Sequence, residues 1–160
     1  GKLKRKNIDD REIFLDSLIN KNKKFTFNIL GYANEQPKWN YQFYKEIAKC
    51  KMALNLSRGR AMKYYSSNRI ASLVANGIMT FIDKKVGYSD FFDDTEMGFY
   101  KNVDDLLIQM ESLHSNISKV NRISKNGKRK YFSIFNNLIV SDYIISTTFN
   151  KKGKFKYVWE

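Results

Sequence analysis

The chain has 160 residues, which suits one domain, and its 42% hydrophobic and 15% aromatic residues can build a buried core. This composition excludes disordered and fibrous proteins, and no apolar run approaches the roughly 20 residues that span a bilayer. The net charge of +13 favours a polyanionic partner (nucleic acid, anionic lipid or a phosphorylated small molecule), although lysines scattered over a solvated surface would produce the same excess.

The first third of the chain is predicted to hold two helices and a strand. Asp9 or Asp10 can cap a helix that ends at residues 20–22. Its apolar positions at helical spacing are Ile13, Phe14, Leu18 and Ile19. Residues 25–30 (FTFNIL) are rich in β-formers and predict a strand, and residues 41–50 predict a short helix. The inward positions of this second helix are Phe43, Ile47 and Ala48.

A strand, a basic loop that contains glycine, a helix and a second strand come next. The strands are the apolar runs 52–56 and 78–82, the loop is 57–66, and the helix stops at Asn76-Gly77. A helix N-terminus behind such a loop presents free N–H groups and the positive end of the dipole, which suit a phosphate. In a doubly wound sheet, ligands bind at the carboxyl end of the strands. This unit therefore predicts an anion site on a parallel sheet that helices cover on both faces.

The remainder of the chain is predicted to be mostly helical. The predicted elements are a loop (84–94), a short strand (97–100), a helix from Val103 through Leu113, a basic helix (118–135) and a third apolar segment (137–149). Gly127 costs about 1 kcal/mol inside a helix and marks a candidate break. The β-branched residues of the third segment lower its helix propensity. The basic and aromatic tail (150–160) is consistent either with docking on the domain or with an interface.

The loop carries the residue types that contact phosphate. Arginine binds phosphate through two parallel hydrogen bonds and lysine provides a point charge, although solvated loop charge is the alternative. The loop cations are Arg58, Arg60 and Lys63. Ser66, Ser67 and Asn68 are suitable helix caps, and capping alone would also explain them.

Three other features favour ordinary structural roles. Cys50 is interpreted as a small core thiol, since a single cysteine cannot form an internal disulfide. Asp93, Asp94 and Glu96 form an acidic cluster whose spacing matches no known metal loop. His114 is interpreted as a residue at a helix C-terminus, where the dipole favours a cation.

The phrases ALNLSRG, RIASLVANGIMTFID and FYKNVDDLL resemble the C-terminal domain of bacterial glycosyltransferases of the GT-B fold. The likeness is greatest to the group-1 glycosyltransferases that include spore-maturation-type proteins, and it covers residues 10–148. The matching positions are Asn55, Ser57, Arg69, Gly77, Phe99, Tyr100, Asp105 and Leu106. The resemblance implies an α/β fold with a Rossmann-like parallel sheet flanked by helices, extra C-terminal helices, one domain over 1–149 and a tail over 150–160.

The resemblance also implies a site for a nucleotide-diphosphate sugar. The residues it assigns to the donor diphosphate are Arg11, Ser57, Arg58, Gly59, Lys63, Ser66 and Ser67, and those it assigns to the nucleotide and ribose are Asn68 and Ser72. The family has acidic residues where this chain has Ser72 and Tyr64, so ribose recognition departs from the family's pattern. No metal and no other cofactor is implied, because loop cations and the helix dipole would neutralise the leaving group. Catalytic residues stay unassigned.

The implied function is hexosyl transfer to a hydroxyl acceptor, a glycan or a lipid-linked molecule, in surface polysaccharide or glycoconjugate synthesis. The resemblance implies that the N-terminal half of a GT-B fold is absent from this sequence, so the chain alone is expected to bind its donor weakly and to be inactive. The expected location is the cytoplasm, with a peripheral contact to the anionic inner face of the membrane. Two alternatives stay open: a degenerate, non-catalytic domain, and a basic nucleic-acid-binding module. No nucleic-acid-binding motif is recognisable, so nucleic acid is not the expected partner.

Overall fold

Helices and strands alternate along the first two thirds of the chain, and helices make up most of the rest. The computed structural model describes residues 10–32, 35–56, 61–65 and 68–160. The elements are α1 (Asp10–Lys21), α2 (Asn40–Ile47), β1 (Met52–Asn55), α3 (Arg69–Ala75), β2 (Met79–Asp83), β3 (Gly98–Tyr100), α4 (Val103–His114), α5 (Ile117–Ile134) and α6 (Asn137–Thr148). Two turns of 3-10 helix, Lys84–Val86 and Tyr88–Asp90, follow β2. The predicted mixed α/β fold is confirmed.

The three strands form one parallel sheet in the order β1-β2-β3. Asn55 pairs with Ile82 across β1 and β2, and Asp83 pairs with Tyr100 across β2 and β3. Because the strands are parallel and end in register, their carboxyl ends meet at one edge of the sheet. This edge is where a ligand site is expected in an open α/β sheet.

Helices cover both faces of the sheet, as the sequence predicts. Successive strand residues point to opposite faces, so Phe81 lies in one hydrophobic cluster and Ile82 in the other. The first cluster joins α1, α4 and part of α5, and its largest buried side chain is that of Tyr100. The second cluster joins α3 with the end of α5. Burial on both faces explains why β2 is mostly apolar rather than alternating, and the hydroxyl of the buried Thr80 donates to the Ile78 carbonyl at 2.9 Å.

The helix with a candidate break at Gly127 is continuous. α5 runs through Gly127, which lies buried against the backbone carbonyl of Glu96, and a Cβ at this position would overlap that oxygen. The glycine is therefore a contact point between α5 and the segment that leads into β3. The third apolar segment is also helical, as α6.

The strand predicted over residues 25–30 is wrong. These residues form an irregular segment in which Phe25 and Phe27 pack partly buried against the core. The Asn22 side chain accepts a hydrogen bond from the Phe25 N–H at 2.9 Å and donates one to the Phe25 carbonyl at 2.6 Å. These two bonds satisfy backbone groups that a strand would offer to a neighbour.

The inward faces predicted for the first two helices need a smaller correction. In α1 the buried residues are Leu15 and Leu18, whereas Ile13 and Ile19 are exposed. α2 ends at Ile47, so Ala48 follows the helix and lies exposed. Apolar spacing located both helices and placed four inward residues correctly against the core, namely Phe14, Leu18, Phe43 and Ile47.

Candidate functional site

A cleft of about 390 Å³ opens at the carboxyl ends of the strands. Asn55 at the end of β1, Asp83 at the end of β2 and Tyr100 at the end of β3 line it. The first turn of α1 contributes Asp10 and Arg11 from the other side. The parallel register and the position of α1 thus gather polar and charged side chains from four separate segments into one opening.

The turn after β2 gives one wall of this cleft its shape. The Asp83 carboxylate accepts a hydrogen bond from the Lys85 N–H at 2.8 Å and caps the 3-10 turn Lys84–Val86. Gly87 ends the turn with a φ of 76°, a conformation that favours glycine. The Tyr64 N–H donates to the Val86 carbonyl at 2.7 Å and attaches residues 61–65 to the turn. Lys85 and Ala61 consequently line the same cleft.

Three cationic side chains lie in or next to the cleft. Arg11 and Lys85 line it, and Arg69 at the start of α3 donates from Nη1 to the Leu56 carbonyl at 3.2 Å. Burial lowers the pKa of the Arg69 guanidinium, and the charge of Arg11 lowers it further. The two guanidinium groups are therefore close enough to repel each other, and an anion bound between them would relieve that repulsion.

The cleft also contains hydrogen-bonding groups for an uncharged ligand. Asp10 and Asp83 bring carboxylates to it, and Tyr100 brings a buried phenol. Burial raises the pKa of the Tyr100 hydroxyl, and the Asp83 charge adds to this effect, so the hydroxyl stays protonated and can donate. Cations suit phosphates and carboxylates suit sugar hydroxyls, so the lining fits a ligand that has both.

Of the predicted site residues that the structure describes, Arg11 lies in the cleft. Lys63 points to a neighbouring surface, where its Nζ lies 4.0 Å from an Asp90 carboxylate oxygen and 4.7 Å from the centroid of the Tyr64 ring. Contact with the Tyr64 side chain raises the pKa of Lys63, and the Asp90 charge contributes less. Tyr64 itself packs on Phe91.

Asn68 and Ser72 do not line the cleft. Asn68 precedes α3 in a helical backbone conformation, is exposed, and makes no side-chain capping bond to α3. Ser72 is half-buried on α3, and its carbonyl accepts a 2.6 Å hydrogen bond from the Asn76 side chain. The remaining predicted site residues, Ser57, Arg58, Gly59, Ser66 and Ser67, and also Arg60, lie outside the described residues.

Sequence reasoning missed Asp83, Lys85 and Tyr100 as site residues. Each follows or ends a predicted strand, so the rule that ligands bind at the carboxyl ends of parallel strands could have found them. Asp10 was considered as a helix cap and Arg69 as part of the motif, although both lie at or near the cleft.

The acidic cluster forms a local turn. An Asp93 carboxylate oxygen accepts from the Thr95 N–H at 2.7 Å and from the Thr95 hydroxyl at 2.6 Å, and a Glu96 carboxylate oxygen accepts from the Asp93 N–H at 3.2 Å. Within the described residues, no three His, Cys, Asp or Glu side chains are grouped as metal ligands would be. His114 ends α4 as predicted, with its ring edge-on to Phe25.

The sheet and its flanking helices define a Rossmann-like α/β domain with a cleft at the carboxyl ends of its strands. A family model described as glycosyl transferase-like matches residues 5–137, and the chain belongs to this family. The transfer of glycosyl groups, from a sugar donor to an acceptor, follows from that membership. No curated protein and no solved structure matches the chain. Across the described residues, no helix is long and apolar enough to cross a membrane.

Proposed function

We propose that the cleft at the carboxyl ends of the strands binds a nucleotide-diphosphate sugar. The observation that carries this proposal is the meeting of Arg11 and Lys85 at the edge of the sheet where three parallel strands end. The domain would then be the donor-binding, C-terminal half of a GT-B glycosyltransferase. A partner half would supply the acceptor site and the catalytic base.

The proposed reaction places its largest charge change inside the cleft. The bond between the anomeric carbon and a diphosphate oxygen breaks, an acceptor hydroxyl oxygen bonds to that carbon, and the hydroxyl proton passes to a base. The electron pair of the broken bond stays on the nucleoside diphosphate. Arg11 and Lys85, with Arg69 behind them, would stabilise this leaving group as its charge develops, and no metal is needed for that role.

The departure at Ser72 leads to a more specific expectation for ribose binding. Where the family has an acidic residue, this chain has a serine that lies away from the cleft, whereas the carboxylates of Asp10 and Asp83 line it. We expect one of these two to accept hydrogen bonds from donor hydroxyls. Hexose as the transferred sugar, surface polysaccharide or glycoconjugate as the product, a bacterial source and a cytoplasmic location follow from the family resemblance and form part of the same proposal.

The test is a thermal-shift screen against nucleoside diphosphates and their sugar conjugates. A charged hydrogen bond contributes about 1.5–3 kcal/mol, so Lys85→Ala should weaken donor binding by about tenfold or more. Lys84→Ala is the matched control, because Lys84 neighbours Lys85 and is equally exposed but does not line the cleft. Arg11→Ala is compared with Arg122→Ala, which removes the same charge from α5 at a residue that does not line the cleft. Equal losses in Lys84→Ala and Lys85→Ala would contradict the proposed site.

The loop residues are tested separately. Arg58→Ala combined with Lys63→Ala should weaken donor binding if the loop reaches the diphosphate when donor is bound. An unchanged shift in this double variant, with a reduced shift in Lys85→Ala, would assign the diphosphate to the turn after β2. No shift with any nucleotide in the wild-type chain would favour the degenerate, non-catalytic alternative or a requirement for the partner half. Adding the partner half would distinguish these two explanations, because only the second predicts that nucleotide binding is then restored.

One observation favours the nucleic-acid alternative. α5, with the sequence ISKVNRISKNGKRKYFSI, carries lysines and arginines on its exposed side and contains no acidic residue. Such a helix attracts any polyanion. Binding to arbitrary oligonucleotides that weakens steeply with salt, and that is lost in Arg122→Ala with Lys125→Ala, would support this function.

A further inference from the structure

The outer side of α6 carries large apolar side chains in contact with solvent. Leu138, Ile145 and Phe149 are 66%, 56% and 66% exposed. Their spacing places Leu138 and Ile145 on one face of α6, and Phe149, the C-cap residue, follows at its end. A row of large exposed apolar residues on a single helix face is the kind of surface that marks an interaction site.

The C-terminal tail runs beside this row. Asp142 is four residues after Leu138 and three before Ile145, so it lies on the same side of α6. Its carboxylate accepts from the Lys154 N–H at 2.7 Å and from the Phe155 N–H at 3.3 Å. Trp159 completes the docking by stacking on Phe135 at the end of α5, with ring centroids 5.6 Å apart. The tail is thus held next to the apolar row, with the Phe155 ring exposed.

The tail adds positive charge to the same surface. Its exposed lysines are Lys151, Lys152, Lys154 and Lys156. The Lys151 ammonium lies 5.9 Å from the centroid of the Phe149 ring, at the end of the apolar row. Two acidic residues, Asp142 and Glu160, lie in this part of the chain, and the Asp142 carboxylate already accepts hydrogen bonds from the tail. We call the combined surface (Leu138, Ile145, Phe149, Phe155 and these four lysines) the α6–tail patch.

We propose that the α6–tail patch docks on the surface of an anionic lipid bilayer. Apolar side chains flanked by lysines match both layers of such a surface, because the lysines meet the headgroup phosphates while the apolar row enters the acyl boundary. A nucleic acid would satisfy the lysines but would leave Leu138 and Ile145 in water. The contact would be peripheral, and it is independent of the donor cleft proposed above.

The first experiment is co-sedimentation of the full chain with vesicles of phosphatidylglycerol and phosphatidylcholine, compared with vesicles of phosphatidylcholine alone. We expect binding to the anionic vesicles that weakens with salt. Lys151→Gln with Lys152→Gln should reduce partitioning by about fivefold per lysine. Lys23→Gln with Lys24→Gln is the matched control, since it removes the same charge from two exposed lysines after α1 and should have little effect.

The apolar part of the patch is tested with a second matched pair. Ile145→Ser should reduce partitioning by about fivefold, because a buried isoleucine side chain contributes most of its transfer free energy in the acyl boundary. Ile108→Ser is the control, as Ile108 is comparably exposed on α4 but lies outside the patch. Thermal unfolding of each variant confirms that the fold is retained.

Several results would overturn the proposal. The proposal fails if the wild-type chain stays in the supernatant with anionic vesicles. It also fails if the control variants lose as much binding as the patch variants. Oligonucleotide binding that depends on Lys151 and Lys152, together with vesicle binding indifferent to Ile145→Ser, would assign the patch to nucleic acid. A dimer in solution that Ile145→Ser dissociates would assign it to a second copy of the chain.

Discussion

The two ends of the parallel sheet carry openings of different chemistry. At the carboxyl ends, a cleft of about 390 Å³ gathers Asp10, Arg11, Asp83 and Lys85. At the amino ends, a pocket of about 250 Å³ lies between α2, α3 and α5, and Lys51 is the one charged residue among the described residues that line it. The same three strands therefore separate a charged opening from a nearly neutral one.

This difference follows from how each end is built. At the amino ends, α5 packs so tightly that Gly127 touches the carbonyl of Glu96, two residues before β3. At the carboxyl ends, turns and the first turn of α1 hold charged side chains apart around open space. A substitution at the amino ends should therefore affect stability, whereas one at the carboxyl ends should affect ligand binding.

The largest expected effect belongs to Gly127→Val. The new side chain would overlap the Glu96 carbonyl oxygen, and overpacking against a backbone that cannot rotate away costs about 3 kcal/mol in the free energy of unfolding. Lys125→Val is the control, because it places the same residue on the exposed side of α5, where only helix propensity changes, by about 0.5 kcal/mol. Urea denaturation followed by circular dichroism measures both. Equal losses would show that the close packing at the amino ends is not a source of stability.

Much of the fold could be predicted from the sequence, because local patterns determine it. The apolar runs of β1 and β2, the stop at Asn76-Gly77 and the period of α4 each correspond to an element of the structure. The failure at residues 25–30 has a physical cause, since β propensity cannot show whether a neighbouring strand exists. The role of Gly127 was equally hidden, because it depends on a backbone oxygen that lies far away in sequence.

The position of the candidate cleft could be predicted, but only part of its lining. A parallel sheet places ligands at its carboxyl ends, and Arg11 lies there. Lys63 was assigned to the same site because it follows β1 in sequence, but its contacts with Tyr64 and Asp90 turn it to another surface. Asp83 and Tyr100 follow or end predicted strands, so the same rule brings them to this edge, and the structure shows that they pair directly across β2 and β3.

Arg69→Met should have an intermediate effect, and it should change both the stability of the fold and ligand binding. Arg69 is half-buried and donates to the Leu56 carbonyl after β1, so its loss removes a charged hydrogen bond and should lower the free energy of unfolding by about 1.5 kcal/mol. It also removes a guanidinium next to Arg11, so nucleoside diphosphate binding should weaken. Chemical denaturation and thermal shift with nucleotide measure the two effects. Arg69→Lys keeps the charge and should restore part of the binding. A variant with lower stability but unchanged nucleotide binding would place Arg69 outside the site.

The smallest expected effect is at Cys50, in the amino-end pocket. Burial raises the pKa of the Cys50 thiol, and the Glu46 charge adds to this effect, so the reactive thiolate forms at higher pH than in a free thiol. Alkylation by iodoacetamide should therefore be slower than that of glutathione at neutral pH, and its rate should rise with pH over a range shifted upward. Cys50→Ser provides the unreactive control.

The same modification tests the contrast between the two ends directly. If the donor binds in the carboxyl-end cleft, alkylated chain should keep the thermal shift with nucleotide, and nucleotide should not protect Cys50 from iodoacetamide. Both results follow because the two openings lie at opposite ends of β1, with the cleft at Asn55 and the pocket at Lys51. Protection of Cys50 by nucleotide, together with loss of the shift after alkylation, would move the ligand to the neutral pocket. Charge would then not be what selects the binding end of this sheet.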